Sequence, residues 1–433
     1  MKGGIRVIRY LLIALLIISP CSIDAAAIDS SFEGGNGVHA ASFEDPVGTF
    51  NVITECDPSP AATSWGDWFY FSLSDVDGAT PVVRVNFNNT RSGGPYWTGT
   101  HSAIRPVYSY DQKTWYRLSS INSYSGDVLQ FTLPMMAANT VYVAMDHPYT
   151  YSDLVADVAD WDASAFCQVS ALSYGGVTHS QGGRSVYYML IEEPGYYTNR
   201  FEMVITGRSH PGEPQASHSM RGFMEWILSD APDAVTLRRK SILHVFPMTN
   251  PDGVYAGRFR SFDSGLDGNR GWDVLGPDSA TEPPETFLIH SKIAEVHAYV
   301  TVCFDLHANN YSKPRMVYDA TDDNWVVSDL DAIVVALNTN DVANYLLDSA
   351  FNMVTGYNTN FRRGQIESYG YHALGIEGGL YTMESGAYPT VTQRETGGAV
   401  VIQSIIEVME NSSKINLQHT GQVSPSNKSG AFQ

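Results

Sequence analysis

Hydrophobic and polar positions divide the chain into two regimes. From Ile28 to about Asp162 apolar residues recur at every second position: Val83, Val85 and Phe87 alternate with Arg84 and Asn86, and Leu129, Phe131 and Leu133 with Gln130 and Thr132. Val141, Val143 and Met145 repeat the pattern, and Trp68-Phe69-Tyr70-Phe71 reads as a buried aromatic strand. Side chains of a strand point alternately to its two faces, so this period predicts half-buried strands. Turn-forming clusters such as Asn88-Asn89-Thr90-Arg91-Ser92-Gly93-Gly94 separate them. Short alternating strands at this spacing predict an antiparallel β-sandwich over residues 28–162.

Beyond about Ala165 the pattern changes to strands alternating with helices. Strands are expected at 201–206, 243–247, 299–306 and 380–383. Helices are expected at 215–228, around Leu288, Ile289, Ile293 and Val296 behind Pro283-Pro284, at 342–353 ending at Gly356, and across Val401, Ile405, Val408 and Met409. This alternation implies an α/β domain with a mixed or parallel sheet over residues 163–412. Residues 413–433 are rich in Ser, Asn and Gln without apolar periodicity, and read as a flexible polar tail.

The first 27 residues do not follow either pattern. Lys2, Arg6 and Arg9 precede an apolar run at 10–18, followed by Pro20 and small residues to Ala27, the layout of a cleaved signal peptide. The run is far shorter than the roughly 20 residues that span a bilayer. A secreted or periplasmic protein without stable membrane insertion is therefore expected, and Pro20 ahead of Cys21 disfavours a lipoprotein. Export would permit a disulfide between Cys56 and Cys167.

Composition narrows the function. The 433 residues include 26 Lys or Arg against 46 Asp or Glu, a formal charge of -20. A surface this negative repels phosphate, which excludes nucleic acid as a partner. With 43% hydrophobic and 17% charged residues, most of the chain is globular. Four cysteines are too few for a disulfide framework.

The candidate chemistry lies in the second regime. Gly207-Arg208-Ser209-His210-Pro211-Gly212-Glu213 follows a predicted strand and precedes a predicted helix. An imidazole and a carboxylate three residues apart across a Pro-Gly turn suit one metal ion, and equally suit capping of the helix that follows. His307 ends the apolar run 300–306, and Glu384 ends the expected strand at 380–383. In open α/β sheets, sites lie beyond the carboxyl ends of the strands, so the three regions converge if their strands are neighbours. Asn250-Pro251-Asp252-Gly253, Arg260 and Asp267-Gly268-Asn269-Arg270 lie between them. A guanidinium with an Asn near a metal suits capture of a substrate carboxylate.

His210-Pro211-Gly212-Glu213, Asn250-Pro251-Asp252-Gly253, Asn269-Arg270, Asp305-Leu306-His307 and Tyr381-Thr382-Met383-Glu384-Ser385 stand in the order found in zinc metallocarboxypeptidases of the carboxypeptidase A clan. The chain resembles the cytosolic-carboxypeptidase branch most closely. Arg105-Pro106, Tyr108-Ser109-Tyr110-Asp111, Trp115 and Pro148-Tyr149-Thr150-Tyr151-Ser152-Asp153 resemble that branch's N-terminal domain. The resemblance implies a carboxypeptidase-like α/β fold with a mixed central sheet behind the β-sandwich, one Zn²⁺, and peptide or protein C-termini as substrates. It also implies roles: His210, Glu213 and His307 as metal ligands, Glu384 as general base and proton shuttle, and Arg260 at the scissile carbonyl. Asn269 and Arg270 would clamp the terminal carboxylate, and Tyr371, with Tyr369 second, would close over the substrate.

Two positions depart from that branch. Gly268 stands where it usually carries Leu, and Gly364-Gln365-Ile366-Glu367-Ser368 lacks the Arg that selects acidic C-terminal residues. Glu367 instead suggests a basic terminal residue. A periplasmic cell-wall peptidase or amidase and a non-catalytic zinc-fold binding protein remain the alternative functions.

Overall fold

The computed structural model describes residues 27–39, 49–58, 65–87, 101–196, 200–270, 272, 277–296, 300–309, 315–318, 332, 335–336, 339–340, 352–355, 372–379 and 388–411. The first regime folds as two five-stranded sheets. One runs β1 (Ile28–Asp29), β4 (Tyr70–Ser74), β10 (Thr140–Ala144), β6 (Val107–Ser109), β7 (Trp115–Arg117). The other runs β2 (Val38–His39), β3 (Thr49–Ile53), β5 (Val82–Asn86), β9 (Val128–Thr132), β8 (Ser123–Ser125). All pairs are antiparallel except β3 with β5. The alternation works as expected: Val83, Val85, Leu129 and Phe131 from one sheet meet Phe69, Phe71, Val141 and Val143 in a single core.

The second regime builds an eight-stranded mixed sheet in the order β11 (Cys167–Ala171), β12 (Tyr187–Ile191), β14 (Ser241–Phe246), β13 (Phe201–Gly207), β15 (Val300–Asn309), β18 (His372–Gly379), β16 (Arg315–Tyr318), β17 (Asn352–Thr355). Strands β14, β13, β15 and β18 are parallel neighbours. Strands β13 and β14 are buried along their whole length, as helix-covered parallel strands must be.

Helices α2 (Pro214–Ile227), α3 (Pro232–Lys240), α4 (Pro251–Tyr255), α5 (Pro284–Val296) and α6 (Val391–Asn411) belong to this domain. Helices α2 and α6 approach closely because Gly222 and Gly398 face each other's backbones. A Cβ at Gly398 would lie 1.9 Å from the Ser219 carbonyl oxygen, and one at Gly222 2.0 Å from that of Glu395.

Several expectations change here. Helix α1 (Tyr151–Asp162) interrupts the period-two stretch. Thr150 and Asp153 form its capping box, and Leu154, Val158 and Trp161 pack into the core of the second sheet. Residues 342–351 of the helix expected at 342–353 lie outside the described residues; its last two positions, Asn352 and Met353, belong to β17, whose backbone pairs in parallel with β16. Short apolar runs do not distinguish a buried strand from a helix, and sheet pairing decided this one. The strand expected at 380–383 and the tail at 413–433 lie outside the described residues. No disulfide joins Cys56 to Cys167, so the expected bridge does not form.

One carboxylate ties the two regimes together. Asp146, just past β10, accepts Arg394 of α6 in a two-pronged pair at 2.7 and 3.1 Å, and also Arg117 of β7 and Gln215 of α2. Burial alone would raise its pKa, but Arg117 and Arg394 hold it well below the usual carboxylate range. Removing one partner of a buried ion pair costs about 3–5 kcal/mol. Asp146→Ala should therefore shift urea unfolding of the full chain strongly toward lower denaturant; a wild-type midpoint would rule out this tie.

Candidate metal centre and active site

The turn after β13 is shaped by an unusual backbone. Arg208 has a φ of 57°, a left-handed conformation rare for a residue with a Cβ. Its buried guanidinium folds back, donating from Nε at 2.9 Å and Nη2 at 2.6 Å to the Pro211 carbonyl and from Nη1 at 2.9 Å to Ser217 Oγ. Burial pushes Arg208 down to about 9. This brace turns His210 and Glu213 inward. Glu213 occupies the residue before α2, with Pro214 opening the helix, yet its side chain makes no capping hydrogen bond. The capping reading therefore fails.

The carboxylate instead joins two imidazoles. Glu213 Oε1 lies 2.8 Å from His210 Nδ1, and Oε2 lies 3.1 Å from His307 Nδ1 and accepts from the Ala308 N–H at 2.9 Å. The ligand atoms of His210, Glu213 and His307 all lie within 4.8 Å of one another, and all three residues are buried. His307 arrives from the adjacent parallel strand, since β13 pairs with β15.

The outer nitrogens also have partners. His210 Nε2 sits 3.1 Å from Asp267 Oδ1, and His307 Nε2 sits 2.7 Å from Asp305 Oδ2 and 3.0 Å from Asn269 Nδ2. The sequence motifs contain Asp267 and Asp305 but assign them no role. Their signal was available: Asp305 and His307 are two apart on a strand and share a face.

The donor set fits zinc. Two imidazoles and a carboxylate are a common catalytic zinc triad, and carboxylates behind ligating histidines orient the rings. Calcium would require six to eight oxygens. Charge points the same way, because Glu213, Asp267 and Asp305 surround two rings that are neutral when they ligate. Burial would lower His307, but Asp305 and Glu213 push it up to about 10. Burial would likewise raise Glu213, but His210 and His307 hold it far below its ordinary value.

Arg260 adjoins this centre. Its Nε donates to Asp267 Oδ2 at 2.6 Å, so Asp267 bridges Arg260 and His210. Arg270 Nη1 bonds the Asn269 carbonyl at 2.7 Å. Gly268 now has a reason: a Cβ there would sit 1.9 Å from the Ser209 carbonyl oxygen, so no Leu fits this backbone. Six of the eight expected site residues thus gather here, while Glu384 and Tyr371, like Tyr369 and Gln365 to Ser368, lie outside the described residues. Strand β18 runs parallel to β15 with Glu377 opposite His307, and its last residue, Gly379, precedes Glu384 by five positions in sequence.

Comparison with known proteins agrees with this architecture. Residues 28–145 match the cytosolic carboxypeptidase N-terminal domain, and residues 168–315 match the zinc carboxypeptidase family. Over these stretches the chain is similar to the zinc carboxypeptidases. It is 31% identical over 279 residues to cytosolic carboxypeptidase 2 of Danio rerio, covering 58% of this chain and 37% of that protein. It thus spans less than two-fifths of that relative's length.

The metallo-carboxypeptidase of Burkholderia cenocepacia shares the fold with a TM-score of 0.74 at 18% identity, over 89% of this chain and 99% of that one. The Pseudomonas aeruginosa metallo-carboxypeptidase, solved with (2-guanidinoethylmercapto)succinic acid, does so at 0.72 and 20% identity, over 88% and 99%. The curated relatives also overturn one expectation. They are named cytosolic carboxypeptidases, so the export signal, the secreted or periplasmic destination and the cell-wall substrate built on it are withdrawn.

Metal content tests the centre. The purified full chain should carry about one zinc, and His307→Ala or Glu213→Ala should abolish it by elemental mass spectrometry. Asp305→Asn should weaken zinc affinity by roughly 10- to 100-fold in chelator competition, as outer-shell changes do. Full zinc occupancy in Glu213→Ala would reject the assignment.

Proposed function

We propose that this protein is a metallocarboxypeptidase that hydrolyses the C-terminal peptide bond of peptide or protein substrates. The observation that carries this reading is the buried set of His210, Glu213 and His307, each imidazole backed by its own carboxylate. Zinc held by these residues supplies the Lewis acidity that makes water nucleophilic near neutral pH. Glu384 takes the proton from the attacking water and returns it to the leaving amine. Arg260, its Nε already held by Asp267, aims its guanidinium at the oxygen that becomes negative in the transition state.

Asn269 and Arg270 bind the terminal carboxylate, and Tyr371 closes over the substrate. The clamp makes the reaction an exopeptidase one, because an internal peptide bond offers no carboxylate at that position. The absence of Arg from 364–368, with Glu367 present, supports a basic rather than acidic terminal residue.

The tests are rates on defined peptides. Glu384→Gln should remove turnover while zinc content stays at the wild-type value. Retained turnover would sink the mechanism, and a wild-type protein without turnover would favour the zinc-fold binding protein. Arg260→Ala should lower kcat by roughly 10²- to 10³-fold, the usual loss for one oxyanion donor. Amidation of the substrate C-terminus should abolish release of the last residue. In a panel ending in Glu, Lys or Phe, Lys should leave fastest; preferred Glu release would refute the assignment to Glu367.

A further inference from the structure

The loop that carries Arg260 belongs to the catalytic domain by sequence, yet it is seated in the sandwich. Phe259 is 1% exposed and packs in the sandwich core with Phe69, Phe87 and their neighbours. Gly34 donates its N–H to the Tyr255 carbonyl at 2.8 Å, and Asn36 donates to that of Gly257 at 2.8 Å. Gly257 has a φ of 65°, and a Cβ there would lie 2.1 Å from the Gly35 carbonyl oxygen, so the loop grazes the sandwich backbone.

The main contact is a single side chain. Asp57, just past β3 and 3% exposed, accepts three consecutive backbone N–H groups: Phe259 at 2.8 Å, Arg260 at 2.6 Å and Ser261 at 2.8 Å. Burial raises the Asp57 carboxyl from its ordinary range, and these three donors oppose the rise. The Trp65 carbonyl accepts the Asp57 N–H at 2.7 Å, and the Trp65 ring lies 5.8 Å from the Arg260 guanidinium.

The carbonyls of the same three residues face the other way. That of Phe259 accepts from the Gly212 N–H at 2.7 Å, that of Arg260 from the Gly268 N–H at 3.2 Å, and that of Ser261 from Asn250 Nδ2 at 3.0 Å. One peptide segment is therefore held on its carbonyl side by the three motif turns of the catalytic domain. On its N–H side it is held by one sandwich carboxylate.

We propose that Asp57 is a positioning residue for the reaction: it acts through the backbone of residues 259–261 to fix where the Arg260 guanidinium points. This inference rests on the oxyanion role given to Arg260 above. It makes the sandwich a part of the active site. A carboxylate accepts three N–H groups at once, whereas the isosteric amide turns an NH₂ toward at least one of them, so the loop must shift. A displacement of about 1 Å at an aligned catalytic group costs up to 10²-fold in rate.

The test is a double-mutant cycle on the zinc-loaded full chain. Asp57→Asn should lower kcat by roughly 10- to 100-fold with KM and zinc content near wild type. In an Arg260→Ala background the same change should lower kcat less than threefold, because the residue through which it acts is gone. Asp57→Glu keeps the charge one methylene further out and should restore part of kcat; it also serves as the cycle's variant if Asp57→Asn does not fold. Losses that multiply across the cycle, or folded Asp57 variants with wild-type kcat, would overturn the inference. Should Arg260→Ala alone leave kcat unchanged, the role of Arg260 falls, and the role of Asp57 with it.

Discussion

An excess of buried negative charge is the constraint around which this structure is arranged. Glu213, Asp267 and Asp305 converge on two imidazoles at the carboxyl ends of the central parallel strands, where an unpaired buried charge is expensive. The surroundings answer it in three ways: the Ala308 N–H points at Glu213, Arg260 pairs with Asp267, and both histidines stand ready to share a cation. A divalent ion held by Glu213 and the two imidazoles would offset this charge, so metal binding and local stability are one problem.

Parallel strand order makes this convergence possible. Strands β13 and β15 are neighbours running in one direction, so the turn with His210 and Glu213 and the end bearing His307 emerge at the same sheet edge. Arg208 then holds that turn in a backbone conformation it would not adopt unaided. On the far side, the sandwich supplies a second wall. Asp146 bridges it to α2 and α6, and Asp57 meets the loop of Arg260. The β-sandwich is therefore packed into the catalytic domain at several points rather than tethered beside it.

Much of this was legible along the chain. Alternation at Val83-Val85 and Leu129-Phe131 marked strands because a two-residue period admits no other regular element. The ends of β13, β14 and α2 fell within about two residues of expectation because Pro214 and the apolar runs punctuate them. Helix α1 departs from the period-two reading even though Leu154, Val158 and Trp161 recur at helical spacing behind the capping box of Thr150 and Asp153; a helix inside a run of strands goes against the pattern on its N-terminal side. At Asn352 and Met353 helix and strand readings were both consistent with the local sequence, and pairing with β16 decided for a strand. The N-terminal run shows the limit of composition: basic residues followed by apolar ones resemble an address, and the relatives speak against it.

By itself, the sequence determined which chemistry is available. His210, Glu213 and His307 are the donors zinc prefers, and their attachment to the ends of strands follows from local pattern, since periodicity and turn residues act over a few positions. Tertiary structure alone decided which carboxylates stand behind those donors, why Gly268 admits no side chain, and that Asp57 reaches Arg260 across about two hundred residues. Contacts of that kind depend on how sheets and loops meet in space, and no short-range pattern of apolar and polar residues encodes such distances.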